Sequence, residues 1–158
     1  MAMQGLTSED AVVRYLQPKL RIIVETVLEN ILKENEEQIN QIVYSAGTPE
    51  QYHRTGQFAD LAWSKEIVKD TSYEIDGEFK YDPDKMGDTH PSVVDGEDTR
   101  SYLADIIYNG VAGHIFGTGF WTEKRDAWTA LVKVVGSNKI RQWINEGAVK
   151  AGLKISWS

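Results

Sequence analysis

The stretch GTGFWTEKRDAW, residues 117–128, sets two glycines two apart directly before a helix-start pattern. Gly-rich loops at helix N-termini are places where backbone N–H groups cradle phosphates, so the first chemistry to weigh is nucleotide binding. A dinucleotide fingerprint needs a third small residue three places on, and position 122 is Thr. It also needs a buried strand before it, and His114-Ile115-Phe116 is too short for one. A Walker loop needs Gly-Lys-Ser/Thr, which is absent. The stretch therefore reads as a glycine hinge. Gly117 and Gly119 supply unusual backbone angles, Thr122 is expected to cap a helix, and Glu123 to sit in its first turn.

The other chemistry-bearing residues converge no better. His53, His90 and His114 have no spacing that puts two on one helical turn. Asp88-Thr89-His90 could bind a metal with Asp84 or Asp95, but three lone groups in a loop are more often solvated. Spacing alone permits a Ser/His/Asp triad, yet no Gly-x-Ser-x-Gly elbow appears. The pairs Glu36-Glu37 and Asp82/Asp84 lie in polar text, where nothing would shift their pKa values. No catalytic, cofactor-binding or metal-ligating residue is assigned, and no cofactor is expected.

Composition narrows the class further. The 158 residues suit one domain, 41% hydrophobic and 26% charged, with a net charge of −7. No apolar run approaches the roughly 18 residues that cross a membrane, so no membrane partner is expected. MAMQGLTSED has neither the basic region nor the apolar core of a signal peptide. Zero cysteines exclude disulfides, thiolate metal sites and a Cys nucleophile, and point to a protein that works or is assembled in a cytoplasm. The negative charge argues against a protein that grips nucleic-acid phosphates. Its distribution is uneven: residues 66–98 hold eleven Asp or Glu against three Lys, and residues 121–158 hold seven Lys or Arg against three acids. Those regions either meet across a subunit boundary or form two solvated faces of one monomer.

The elements that must position these groups are a long helix, a hairpin and a helical C-terminal part. Thr7-Ser8-Glu9-Asp10 is a helix-start signature. Val12, Leu16, Leu20, Ile23, Val27 and Ile31 then draw one stripe, which weakens at 34–37 and returns at Ile39, Ile42 and Val43. The helix is expected over 8–43, with Pro18 kinking it or splitting it. A hairpin is expected within 58–81: Tyr73, Ile75, Phe79 and Tyr81 alternate with charged residues, and Leu61, Trp63, Lys65 and Ile67 suggest the partner strand. The turn is expected near Lys69-Asp70-Thr71, and Gly77 marks a bulge or a close approach. Residues 82–98 read as a long loop, 100–109 as a short helix and 122–146 as C-terminal helices. Residues 151–157 are expected to form a terminal strand. The fold class is α+β, with the long N-terminal and the C-terminal helices packed on a small, mostly antiparallel sheet. Trp128 and Trp143 lie on apolar helix faces and are expected in the core, whereas Trp121 and Trp157 end elements and suit an interface.

Three segments carry a resemblance. Tyr52-His53-Arg54-Thr55-Gly56-Gln57-Phe58, between the long helix and the hairpin, resembles the Tyr-x-Arg-Thr-Gly-x-Leu segment of the tail-completion, or head–tail joining, proteins of tailed bacteriophages, the family of the minor tail protein Z of lambda. Ile106-Ile107-Tyr108-Asn109-Gly110 is similar to the family's Tyr-x-x-x-Ile-Glu-x-Gly segment, with Asn109 in place of Glu. Phe120 to Trp128 is similar to its aromatic-x-x-Pro-Arg-x-x-Trp/Leu lead into the last helix, with Lys124 in place of Pro. The order of these segments spans nearly the whole chain.

The resemblance implies a structural virion protein that forms a ring, of six copies, at the head–tail junction or tail end. It would be assembled in the host cytoplasm and reside in the tail or neck. Its partners would be copies of itself, the head connector and the tail tube or tail terminator proteins, with double-stranded DNA only passing through the lumen. A closed ring uses two different, complementary faces. The candidates for its subunit contacts are Arg54, Trp121, Arg125, Lys133, Lys139, Arg141 and Trp157, with Trp121 and Arg125 facing a neighbouring subunit and Trp128 the core. Two other classes remain open: a non-catalytic adaptor that binds a partner protein through the long helix and aromatic ends, and a small metal-dependent enzyme.

Overall fold

Ser8 starts the first helix. Its carbonyl accepts the N–H groups of Ala11 and Val12, and its hydroxyl also accepts from Ala11 at 3.3 Å. The computed structural model describes residues 8–45, 56–87, 96, 98–110 and 123–157. Within these the protein is α+β, with one two-stranded antiparallel sheet and a set of helices.

Helix α1 spans Glu9–Ile39 and passes through Pro18 unbroken. Proline there removes one hydrogen bond and crowds the carbonyl of Arg14. Both residues are exposed, so water can satisfy that carbonyl. A π-helical segment, Asn40–Tyr44, follows, closed by the Ser45 N–H on the Asn40 carbonyl at 3.1 Å. The polar interval at 34–37 is not the solvated gap its weakened stripe suggests. Glu34 and Asn35 are buried, as are Ile39 and Val43.

Helix α2, Gln57–Asp60, occupies the start of the expected hairpin, which begins later. Gly56 before it has φ +80°, a left-handed angle that explains a glycine after Arg54-Thr55. Strands β1, Trp63–Asp70, and β2, Ile75–Tyr81, form the hairpin. Its turn lies at 71–74, beyond the expected place. Thr71 N–H donates to the Glu74 carbonyl at 2.9 Å, and Glu74 N–H donates to Thr71 Oγ1 at 3.1 Å. Tyr73 is therefore at the tip and 74% exposed, rather than on the inward face. Gly77 is a close approach as expected: a Cβ there would lie 2.7 Å from Leu28 Cδ1 and 2.8 Å from Val24 Cγ1.

Of the loop at 82–98, residues 88–95 and 97 lie outside the described residues. A 3-10 turn, Pro83–Lys85, precedes the fully buried Met86, and a second, Arg100–Tyr102, leads into α3, Leu103–Asn109. Helix α4, Ala127–Val134, starts later than expected and is capped by Asp126; Thr122, the expected cap, lies outside the described residues. The Asp126 carboxylate accepts both the N–H and the hydroxyl of Thr129, at 2.8 and 2.7 Å. The chain continues through a π-helical segment, Val135–Lys139, into α5, Ile140–Lys150.

Residues 151–157 are not a strand. Leu153 N–H bonds to the Ala148 carbonyl and Gly152, at φ +69°, to that of Val149, which is the Schellman closure of a helix. The tail then packs Leu153 and Ile155 on Ile23, Ala148 and Ala151. Its alternating pattern reflects that contact, with no sheet edge beside it to pair with among the described residues.

The chain, expected to be one domain, divides into two compact units. One comprises Met1–Ile31, Lys65–Phe79 and Val135–Ser158, and the other Leu32–Ser64 and Lys80–Val134.

Candidate assembly faces

In the first unit α1 is a spine with a different partner on each flank. Gln17 Nε2 and Arg21 Nη1 both donate to the carboxylate of Asp70 on β1, at 2.8 and 2.6 Å, and Val24 and Leu28 press on Gly77 of β2. On the other flank, Lys19 Nζ donates to the Ala151 carbonyl at 2.6 Å, Ile23 packs on Gly147, and Asn30 donates to Glu146 at 3.2 Å. Positions 17, 21, 24 and 28 form one stripe and 19, 23 and 30 another. At about 100° per residue their centres are roughly 150° apart, so hairpin and α5 lie on opposite sides of α1.

Each flank turns a charged surface away from the spine. Gly77 faces α1, so strand alternation turns Asp76 and Glu78 outward. Hairpin residues 65–79 carry Glu66, Asp70, Glu74, Asp76 and Glu78 against Lys65 and Lys69; Asp70 and Lys65 pair with Arg21 and Glu29 of α1, and the other five still leave a side-chain charge of −3. Residues 135–158 carry Lys139, Arg141, Lys150 and Lys154 against Glu146, a side-chain charge of +3. Each surface also exposes apolar residues: Val68 and Tyr73 on the hairpin, and Val149 (75% exposed) and Trp157 (47%) at the C-terminal part. Gln142, Asn145, Glu146, Val149 and Lys150 line an open hollow of about 620 Å³ along α5. Trp157 stands beside it, its Nε1–H donating to Asn145 Oδ1 at 3.0 Å, and the Arg141 guanidinium lies 5.4 Å from the Trp157 ring centre.

The second unit holds a cluster of five aromatic rings. Trp63 stacks on Tyr108 at 6.3 Å and 25° and on Trp128 at 5.9 Å and 14°. Phe58 and Tyr81 meet Trp63 at 6.0 and 5.3 Å, within the range of favourable aromatic pairs. Burial pushes the hydroxyl pKa values of Tyr81 and Tyr108 well above that of a free tyrosine. Tyr81 donates its proton to the Arg100 carbonyl at 2.5 Å. The hydrogen bonds from Thr129 hold Asp126 below the ordinary carboxylate value. These shifts follow from packing and capping and gather no acid–base pair around a cavity.

The chain matches no protein-family model, no curated protein and no solved structure.

The interface candidates are placed unevenly. Arg141 and Trp157 come together, and Lys139 is exposed in the same unit. Lys133 is exposed at the end of α4. Arg125 is a correction: it is only 5% exposed, and its N–H donates to the Ile107 carbonyl at 3.1 Å, so it is part of the interior. Trp128 is the reverse correction, 41% exposed, because its position on α4 caps the ring stack and leaves one side open. Val132, one turn on, is exposed beside it. Trp143 is buried as expected. Arg54, Trp121, Gly117, Gly119 and the three histidines lie outside the described residues. Among the described residues, no three His, Asp or Glu side chains are grouped to hold a metal ion, and no helix is long and apolar enough to cross a membrane.

Sequence reasoning missed Tyr73 and Val149. The Asp-Thr-Ser-Tyr-Glu turn composition signalled the first, and α5 running one turn past Glu146 signalled the second only once its end was known.

Proposed function

We propose that the chain is a structural virion protein of a tailed bacteriophage. It forms a closed ring, of six copies, at the head–tail junction or the tail end, and completes or joins the tail while DNA passes through the lumen. The observation that carries this is the pair of oppositely charged faces on opposite sides of α1. A ring needs two different faces that complement one another on successive subunits, whereas a twofold dimer uses the same patch twice. The net charge of −7 suits a lumen that repels phosphate and does not stall a passing duplex. The ordered resemblance through Arg54-Thr55-Gly56, Asn109-Gly110 and the Arg125-to-Trp128 segment supplies the phage context. In the second unit the exposed Trp128 and Val132 suit a separate contact with a connector, tube or terminator protein.

Light scattering on the purified chain over a wide concentration range, alone and with the connector and tube proteins encoded beside it, tests this. The expected result is one closed assembly of fixed stoichiometry, seen as an annulus by electron microscopy. A chain that stays monomeric in every mixture, or needs a single partner in one-to-one ratio, would favour the adaptor instead.

A further inference from the structure

We infer that the contact between successive copies is the hairpin tip of one chain seated in the hollow along α5 of the next, with Tyr73 against Val149. The inference rests on the ring proposed above and adds the residues that join its subunits.

Four features of the first unit lead there. Tyr73 is a large ring held 74% exposed on a turn that cannot easily fold it back. The Thr71 hydroxyl and backbone tie that turn to Glu74, and the Lys69 ammonium pairs with the Glu74 carboxylate. A side chain presented on a pre-ordered turn loses little entropy on docking. The receiving surface is the hollow of about 620 Å³, whose most exposed apolar group is Val149 and whose rim carries the Trp157 ring. A tyrosine, whose ring is apolar and whose hydroxyl is polar, suits an open face that carries Val149 among polar side chains.

Charge then selects the occupant. The hairpin's outward residues Glu66, Asp76 and Glu78 would approach Lys150 and Lys154, matching a side-chain charge of −3 with one of +3. A partner of the same charge as the C-terminal part would be repelled. Because hairpin and α5 lie roughly 150° apart about α1, one chain cannot satisfy its own hollow with its own tip. A second copy can, and each copy added leaves one tip and one hollow unfilled until the ring closes.

The chain has no cysteine, so disulfide trapping reads this contact without background. Single variants Tyr73→Cys and Val149→Cys are oxidised separately, mixed together, and each mixed with Arg14→Cys, an exposed position outside the contact. The expected result is a cross-linked dimer at least about tenfold more abundant in the Tyr73→Cys with Val149→Cys mixture than in any other, lost when salt is raised. Equal cross-linking in all mixtures, or none, would overturn the contact. In parallel, Val149→Arg should weaken wild-type self-association at least about tenfold. Rings that persist in Val149→Arg and in Tyr73→Arg would overturn the contact and leave the ring itself standing. A wild-type chain that neither associates nor cross-links would overturn both.

Discussion

Gly147 of α5 lies directly against Ile23 of α1: a Cβ on the glycine would stand 2.7 Å from the Ile23 Cα and 3.2 Å from its carbonyl oxygen. The obstacle is backbone, which cannot rotate aside. Gly147→Ala should therefore lower stability by about 1–3 kcal/mol through overpacking, even though alanine is the better helix former by about 1 kcal/mol. In thermal unfolding that is about 2–4 °C per kcal/mol for a chain of this size. Gly77→Ala should cost less, because it meets side-chain atoms of Leu28 and Val24 and no backbone. A midpoint raised by Gly147→Ala would contradict the close approach that seats α5 on the spine.

Asn35 is fully buried in α1, and neither its amide nitrogen nor its oxygen has a hydrogen-bond partner among the described residues. An unpaired buried polar group costs about 1–3 kcal/mol. Asn35→Leu keeps the branched skeleton of four side-chain heavy atoms, removes the unpaired atoms and improves helix propensity. The expected outcome is a higher urea midpoint at unchanged slope, by about 1 kcal/mol or more. A lower midpoint would mean that the amide is satisfied in solution.

Tyr81 and Tyr108 should govern stability at high pH. Burial raises both hydroxyl pKa values in the folded chain above the unfolded value near 10. The folded state thus holds these protons more tightly. Stability is fully present below about pH 10 and falls above it, by at most about 1.4 kcal/mol per pH unit for Tyr108 and by less for the more exposed Tyr81. Denaturation curves from pH 8 to 12 should show a plateau, then a decline that is shallower in Tyr108→Phe. Because the Tyr108 hydroxyl is buried without a hydrogen-bond partner among the described residues, Tyr108→Phe should cost little or nothing at neutral pH. A decline of equal slope in the variant would contradict the assignment.

Much of the fold was legible because it rests on local periodicity. The stripe through Val12, Leu16, Ile23 and Ile31 marked α1, and the alternation from Ile75 to Tyr81 marked β2. Gly77 signalled a bulge or a close approach, and the structure shows the close approach. What failed depended on neighbours. The 151–157 tail alternates like a strand but packs on Ile23 and Ala148, and no local pattern separates a ladder from such a contact. Asp126 caps α4, a role that its spacing to Thr129 permits but that other polar residues of the same stretch could equally fill on composition alone. The ring stack joins Phe58, Trp63, Tyr81, Tyr108 and Trp128, five positions spread along the sequence with no spacing rule to connect them. Of the candidate assembly faces, the charge asymmetry was legible, but their placement on opposite sides of α1 required knowing which of its residues meet the hairpin and which meet α5.

Head-to-tail joining through two different faces is tested most directly by blocking one face at a time. Tyr73→Arg closes the hairpin tip and Val149→Arg closes the α5 hollow, each at a largely exposed position that folding does not depend on. In sedimentation the wild type should form its closed assembly, and each variant alone should remain monomeric. An equal mixture should give a discrete dimer and nothing larger, since each copy then has one usable face. A mixture that stays monomeric, a variant that dimerises with itself, or rings unaffected by either change would contradict it.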